Sequence, residues 1–423
     1  MSTNAQKAAR PFVSRVRVQG FRSVAECDVR LGPLTVLAGF NAAGKSNFLD
    51  AIRFVRDALA LSPTRAIAQR GGLDSILWRG RESAGEGVDS FSITLELSFA
   101  GGDATYHVRV GRAPGLGFPL AVLGETLILA VGDERAEYAV GLVDDRERRV
   151  GDVAPGVRLG PDELLLPLLG RYAPYDILLQ ALLGMRFHEL DTPQLRGLDD
   201  TRVRQVRLGE RGEHLGQVLR ALSDGYPEVK DSVDGWMRWL IPSLLGVDHR
   251  MQGDYVTIQA RFWTGDPNLP FWEAVNAGRV NAGDPHVEVF ESEQLSEGTI
   301  RAIGVLAALN QPDALDGTIP LVALEEPELA IHPAKVSGVL SAMAEAANHT
   351  QVIATTQSSD LLNGEETESS TLRIVEMDAG VSRIGSLSGH MQDVLRKNPD
   401  QLPEFHRQGW LRPVGDSEGE SGA

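Results

Sequence analysis

The sequence predicts an α/β fold built around a phosphate-binding loop. Three observations predict it: an apolar strand that runs through a G-x-x-x-x-G-K-S segment into a helix, a train of short alternating strands after that helix, and a later apolar strand that ends in adjacent carboxylates. The loop is Gly39-Phe40-Asn41-Ala42-Ala43-Gly44-Lys45-Ser46. Leu34 to Ala38 in front of it reads as a buried strand, and Asn47 to Val55 behind it has apolar residues at helical spacing. That strand, loop and helix context is what the motif needs before it counts. The glycines let several N–H groups turn towards one point, and the helix N-terminus adds partial positive charge. Gly39, Asn41, Gly44, Lys45, Ser46 and Asn47 are the candidate nucleotide-binding residues. Lys45 is expected to reach the β- and γ-phosphates, and the Ser46 hydroxyl to take a place on Mg²⁺. The competing reading is a glycine-rich turn with an incidental lysine, and the flanking elements disfavour it.

At 423 residues the chain can bury one large core or two to three smaller ones. Apolar and charged content are ordinary for a globular protein. No run of about 18 apolar residues occurs, and Met1 to Lys7 lacks a signal-peptide core, so the expected setting is cytoplasmic and without a membrane partner. The one cysteine, Cys27, cannot form an internal disulfide, and the nine histidines lack metal-ligand spacing, so structural zinc is not expected. The net charge of −17 repels a duplex at long range. Any DNA contact is therefore expected to be local, conditional, or made through another subunit.

Taken in order, Val13 to Ser23 alternates apolar with polar residues as a half-exposed strand does, and a second strand around Cys27 to Arg30 leads through Gly32-Pro33 to the loop strand. The pair "VRVQGFRSV" and "LTVLAGFNAAGKSNFLDAI" resembles the opening of the RecF/SMC class of ABC-type ATPases, in which a strand and an F-R-S turn precede a G-x-N-x-x-G-K-S-N loop. The segment Gln69 to Trp78 is similar to the arginine-bearing loop after the first helix of SMC-like heads. That similarity implies that Arg70 faces the nucleotide or its sensing loop; a surface arginine before a Gly-Gly turn is the alternative. Phe91–Phe99, Thr105–Val110, Glu125–Val131 and Ala136–Val143 read as strands of an antiparallel sheet.

From Pro161 to about Leu245 the pattern becomes helical and is often broken by Gly and Pro, with no apolar heptad sustained for three repeats. A compact lobe is expected there, not the long coiled-coil arm of SMC proteins. Arg202, Arg204, Arg207 and Arg211 form its one dense basic cluster, readable as a solvated face or as a nucleic-acid or partner contact. Trp236, Trp239, Trp263 and Trp272 read as packing residues in preference to base-stacking platforms.

Leu295-Ser296-Glu297-Gly298-Thr299 resembles the L-S-x-G-Q signature of ABC ATPases, and it opens the apolar helix Ile300 to Leu309, where a hydroxyl, N–H groups and the helix dipole can grip a phosphate. A plain helix cap is the alternative for an isolated motif of this kind. Pro320 to Glu328 is a buried strand ending in acids. Glu325 is assigned to the metal and Glu326 to polarising the attacking water. The class usually has Asp first, so Glu325 is one methylene too long and is expected to bind through water. His332, within Ala330-Ile331-His332-Pro333, occupies the position of the D-loop, which in the class crosses the dimer interface. The last strand, Gln351 to Thr356, ends at Gln357, where relatives commonly carry a histidine that senses the γ-phosphate. Glutamine can orient water, but it cannot carry a proton near neutral pH.

The resemblance implies a P-loop NTPase fold of the ABC-type head, with an antiparallel β subdomain and a compact helical insertion. The expected divisions are 1–155 and 286–395 for the two halves of the head, 156–285 for the lobe and 396–423 for the tail. It further implies an ATPase that dimerises on ATP, each triphosphate clasped by the loop of one copy and by Leu295, Ser296 and Gly298 of the other. The implied role lies in DNA repair or anti-phage defence, through a separate effector. The Gly409-Trp410 pair fits stand-alone members, and the segment from Ser370 onward is too short for the Toprim nuclease domain that some relatives carry, so no nuclease is expected in this polypeptide. A low-turnover nucleotide sensor or scaffold is the alternative, favoured by Gln357 and Glu325, and a transporter ATPase comes third.

Overall fold

The computed structural model describes residues 12–80, 88–99, 102–113, 118–143, 147–150, 158–203, 206–265, 285–363 and 371–415. The N-terminal tail, Arg204, Trp272 and the last eight residues of the low-complexity tail lie outside the described residues. The chain divides into two compact units, one of residues 1–185 with 368–423 and one of residues 186–367.

The first unit opens with β1 (Phe12–Phe21) and β2 (Val24–Arg30), then β3 (Leu34–Ala38), which is buried along its whole length. On β1, Val16 and Val18 point inward. Arg15 and Arg17 on its other face pair across the ladder with Asp28 at 2.5 Å and Glu96 at 2.6 Å. This is how an alternating strand keeps one face dry and the other solvated. Helices α1 (Lys45–Ala60), α2 (Pro63–Ala68) and α3 (Leu73–Ile76) follow the loop. Then come β4 (Ser90–Phe99), β5 (Gly102–Ala113), β6 (Phe118–Val131), β7 (Glu134–Val143) and β8 (Glu147–Val150). They form an antiparallel sheet in the order β2-β1-β4-β5-β6-β7-β8, the sheet that the alternating strands predict, with longer strands than the sequence marks.

Helix α1 is fixed to this sheet by an aromatic cluster. Phe54 of α1 meets Phe91 edge-on at 5.0 Å between centroids, and Phe21 meets Phe91 at 5.3 Å, all three rings being buried. The unit continues through α4 (Leu166–Leu169) and α5 (Tyr175–Gly184).

The second unit holds β9 (Arg186–His188), α6 (Thr192–Leu195), β10 (Asp199–Asp200), α7 (Leu215–Gly225) and α8 (Pro227–Leu240). Two strands then follow that the helical reading does not mark, β11 (Leu244–Gln252) and β12 (Tyr255–Trp263), paired as a hairpin, with β13 (Val287–Glu291) on the far edge of β12. The helix Glu297–Asn310 is buried from Thr299 to Leu309 on all sides, as its near-continuous apolar sequence requires. Beyond it, β14 (Leu321–Glu325) is flanked in parallel by β9 and by β15 (Gln351–Thr356). The helix Val336–Ala346 connects β14 to β15, as a parallel pair demands.

Trp239 of α8 lies against Gly338, where a Cβ would stand 1.9 Å from its ring, and Lys335 sits 4.7 Å from the ring centroid. Trp236 donates its Nε1–H to Glu345 at 3.0 Å, and Trp263 meets His286 at 5.6 Å between ring centroids. These tryptophans pack elements of the unit together, as expected. Of the basic cluster, Arg202 is bound to Asp200 and Arg207 to Asp313 within the same unit.

The chain returns to the first unit with β16 (Leu372–Asp378), parallel to β3, and β17 (Val381–Leu387), antiparallel to β16, followed by helices Gly389–Lys397 and Leu402–Arg407 and by β18 (Pro413–Val414) on β17. Among the described residues no helix is long and apolar enough to cross a membrane.

Candidate nucleotide site

In the first unit the loop closes between β3 and α1. Gly39 is obligatory because a Cβ there would lie 2.1 Å from the Val375 carbonyl of β16. Ala42 and Gly44 both take positive φ, 60° and 106°, turning successive peptides as an anion nest does. Gly44 caps α1 without a side-chain bond, and no acidic side chain stands in the first helical turn, so the positive end of the helix dipole is uncompensated. Lys45 is buried and donates its Nζ–H groups to the carbonyls of Gly39 (2.8 Å) and Phe40 (2.9 Å), which stretches it back along the loop. Asn41 and Ser46 are exposed at the mouth. Asn47 donates to Ser23 Oγ at 2.6 Å, so it ties the F-R-S turn to α1.

Two cavities adjoin the loop within this unit. One of about 320 Å³ is lined by Arg22, Ser23 and Asn47, by Trp78 and Arg79, and by the Ala379–Val381 turn. The other, about 180 Å³, lies between Phe40, Val375 and His406. Phe40, 54% exposed, stacks on His406 with centroids 5.6 Å apart, and a Cβ on Gly409 would come within 3.3 Å of the Phe40 ring. The Gly409-Trp410 pair thus marks a helix end seated against the loop. Burial, with the Lys45 charge next, lowers the His406 pKa.

Arg70 is engaged by α1. Its Nε–H goes to Asp50 and its Nη2–H to Asp57, each at 2.8 Å, its Nη1–H goes to the Ala66 carbonyl at 2.9 Å, and the guanidinium lies 5.5 Å from the Phe54 centroid. The side chain is nearly fully buried by these partners. The same Asp50 also takes Arg22 of the F-R-S turn at 2.7 Å.

In the second unit the structure brings Glu325, Glu326 and Gln357 to the ends of neighbouring strands. Glu325 is level with Thr355 in the β14–β15 ladder. Glu326 follows in the left-handed region at φ 45°, a conformation unfavourable for a residue with a side chain, and its N–H is held by the Thr355 carbonyl at 3.1 Å. Gln357 donates its Nε2–H to Glu326 Oε2 at 3.0 Å. Glu328, the last acid of the same run, is 7% exposed and accepts a bond from the Thr356 hydroxyl; burial is the main cause that raises its pKa.

The signature segment is anchored in the same unit. Leu295 is buried, Ser296 is exposed and caps the helix by accepting from the Thr299 N–H at 3.1 Å, and Gly298 is needed because a Cβ would lie 2.2 Å from the Ala330 carbonyl. The segments Leu295 to Thr299 and Ala330 to Pro333 are therefore packed backbone to backbone. His332 is exposed, and its Nδ1 accepts from the Ala334 N–H at 3.2 Å.

Ser46 and Glu325 are hard oxygen donors of the kind Mg²⁺ takes one or two at a time beside phosphate oxygens and water, so their chemistry fits that ion. Among the described residues no group of three or more His, Cys, Asp or Glu side chains could hold a metal by itself.

Residues 34–133 and 162–363 match the family described as "AAA domain, putative AbiEii toxin, Type IV TA system", a span that takes in the loop, the signature and both carboxylates. The chain belongs to this family. In family, relatives and fold it is similar to the RecF/SMC-like class of ABC-type ATPases. The chain is 26% identical over 345 residues to the OLD nuclease of Thermus scotoductus, covering 76% of this chain and 54% of that protein. It is 37% identical over 106 residues to the DNA replication and repair protein RecF of Gloeobacter violaceus, 24% of this chain and 26% of that one. The chain thus spans about half the length of the first relative and about a quarter of the second.

Two solved structures share the fold, each at 14% identity over 99% of its own chain. One is an SMC head bound to the C-winged helix domain of ScpA (TM-score 0.51, 90% of this chain). The other is an Smc head with an extended coiled coil bound to the C-terminal domain of ScpA, derived from Pyrococcus furiosus (TM-score 0.50, 92%). They establish the fold as a P-loop NTPase of the ABC-type head.

Proposed function

We propose that the protein binds and slowly hydrolyses ATP with Mg²⁺ and uses the nucleotide to hold two copies together. The observation that carries the reading is the carboxylate of Glu326, held by Gln357 on a backbone in a costly conformation at the end of a buried strand. In this reading Gly39, Asn41, Gly44, Lys45, Ser46 and Asn47 bind the triphosphate. The cavity beside Ser23 and Trp78 takes the nucleoside, and Glu326 polarises the attacking water. Mg²⁺ would be held by Ser46 and, through water, by Glu325, and would neutralise phosphate charge there. Arg70 contributes to the nucleotide only if its bonds to Asp50 and Asp57 open.

Ser296, Gly298 and His332 act on the partner copy, which accords with the exposure of Ser296 and His332. Residues 1–155 and 286–395 are taken as the halves of the head, 156–285 as the lobe and 396–423 as the tail. The printed names of the two relatives, a nuclease and a DNA replication and repair protein, support a role around DNA; a role in repair or in defence against phage, through a separate effector, is part of the proposal. With a charge of −17, contact with DNA is local or indirect.

The Glu326→Gln variant is expected to retain ATP and to accumulate as a dimer in size-exclusion chromatography with light scattering. Monomer alone at saturating ATP contradicts the switch. One observation favours a second reading, a sensor of low turnover. The amide of Gln357 donates to the very carboxylate that must accept a proton, and it cannot itself relay one. Phosphate release too slow to raise above background, with tight ATP binding, would decide for the sensor.

A further inference from the structure

We infer that Ser382, on β17, is a positioning residue that sets the phosphate loop in its anion-accepting conformation; the inference rests on the nucleotide reading above. Ser382 is fully buried, and no motif marks it. Its hydroxyl donates to the Ala43 carbonyl at 2.8 Å and lies 2.7 Å from Ser23 Oγ. A hydroxyl has one proton, and that of Ser382 is spent on Ala43, so Ser23 is the donor in the second bond. Ser23 in turn accepts from Asn47 Nδ2 at 2.6 Å. A single directed chain therefore runs from Asn47 of α1 through Ser23 and Ser382 to the carbonyl of Ala43. Every hydroxyl in it donates once and accepts once, an arrangement in which the bonds polarise one another. The backbone reinforces the clamp, since the Ser382 N–H donates to the Ser23 carbonyl at 2.8 Å.

The consequence follows from peptide planarity. In a trans peptide the C=O and the following N–H point in opposite directions. Holding the Ala43 carbonyl back towards β17 turns the Gly44 N–H the other way, away from β17. Gly44 has no side chain to come between: a Cβ there would stand 1.9 Å from Ser382 Oγ and 3.0 Å from Ser23 Oγ. The φ of 106° at Gly44 excludes other residues for a second reason. Without the Ser382 hydroxyl this peptide is free to rotate, and the donor that it aims is no longer pre-set. The turn that precedes Ser382, Ala379–Val381, also forms one wall of the 320 Å³ cavity, so β17 touches the loop and the cavity at once.

The test is equilibrium titration of the full chain with ATPγS·Mg²⁺ and with AMP, alongside the melting temperature without nucleotide, for wild type and Ser382→Ala. Losing one buried donor is expected to weaken ATPγS binding about tenfold, with AMP, which lacks the β-phosphate, changed much less and the nucleotide-free melting temperature close to wild type. General loosening of the unit would instead weaken both ligands alike and leave their affinity ratio unchanged. If Ser382→Ala does not fold, Ser382→Cys, which keeps a side chain but only a weak donor, carries the same expectation. An unchanged ratio of AMP to ATPγS affinity in a folded variant overturns the role of Ser382. A wild type that binds no ATPγS overturns the nucleotide reading beneath it.

Discussion

Glu326 and Glu328 are two residues apart, and their surroundings press them towards different tasks. Glu326 sits at the strand end with its carboxylate bound by an amide, whereas Glu328 is enclosed and accepts from the Thr356 hydroxyl. Burial, with the Glu326 charge adding to it, raises the Glu328 pKa above the ordinary carboxylate range, against the opposing hydroxyl of Thr356. The folded chain therefore holds this proton more tightly than the unfolded chain does. The sign follows: stability is lost as pH rises from the ordinary carboxylate range through the raised folded value. Glu328→Gln, neutral at every pH, should remove that loss. Its melting temperature relative to wild type should be higher at pH 8 than at pH 4.5, by about 2 °C or more. Parallel melting curves for the two proteins across that range would show that Glu328 does not carry the raised pKa. Turnover should likewise lack a titration near 6.5, because Gln357 stands where an imidazole would supply one.

At the level of elements, the antiparallel sheet is joined to α4 by a residue that no sequence pattern marks. Glu125 of β6 is wholly buried, yet it accepts from Tyr106 (3.1 Å) and Tyr138 (2.7 Å) and from the N–H groups of Leu165 (2.6 Å) and Leu166 (3.1 Å). The last two N–H groups lie at the start of α4, where donors have no partner within the helix. Glu125→Ala would leave four buried donors unpaired and should cost about 3 kcal/mol or more, read in urea denaturation. A loss below about 0.5 kcal/mol would show that water or a rearranged α4 replaces the carboxylate. The contrast with the loop explains what was legible. Gly39, Gly44, Lys45 and Ser46 could be read because one ligand fixes their spacing, and the alternation of Val16 and Val18 with charged neighbours announced β1. Glu125 and Ser382 could not, because their partners lie 40 and 339 residues away in the chain. The strands β11 and β12 were hidden by charged residues on the face that carries Arg261 paired to Asp248 at 2.7 Å. Arg70 shows the opposite limit. Its motif was visible, but its engagement by Asp50 and Asp57 depends on packing that no spacing encodes.

For the molecule as a whole, acidity and the division into two units frame the account. In the proposed reading the phosphate-binding residues belong to one unit and the carboxylates to the other. The negative charge makes association of two copies unfavourable at long range, so in the proposed switch the bridging nucleotide works against a repulsion that salt should ease. Dimerisation by ATP should accordingly strengthen as ionic strength rises from about 50 to 300 mM; weakening over that range would point to an interface held by complementary charge.

The central claim is that one nucleotide is bound through Lys45 and cleaved with the help of Glu326. Its most direct test is single-turnover release of phosphate from ATP, paired with ATP binding, for wild type, Lys45→Ala and Glu326→Gln. Slow release is expected of the wild type, loss of binding and release in Lys45→Ala, and in Glu326→Gln a fall in release of about 100-fold or more with binding retained. Release by Glu326→Gln at the wild-type rate, with Lys45→Ala still inactive, would contradict it.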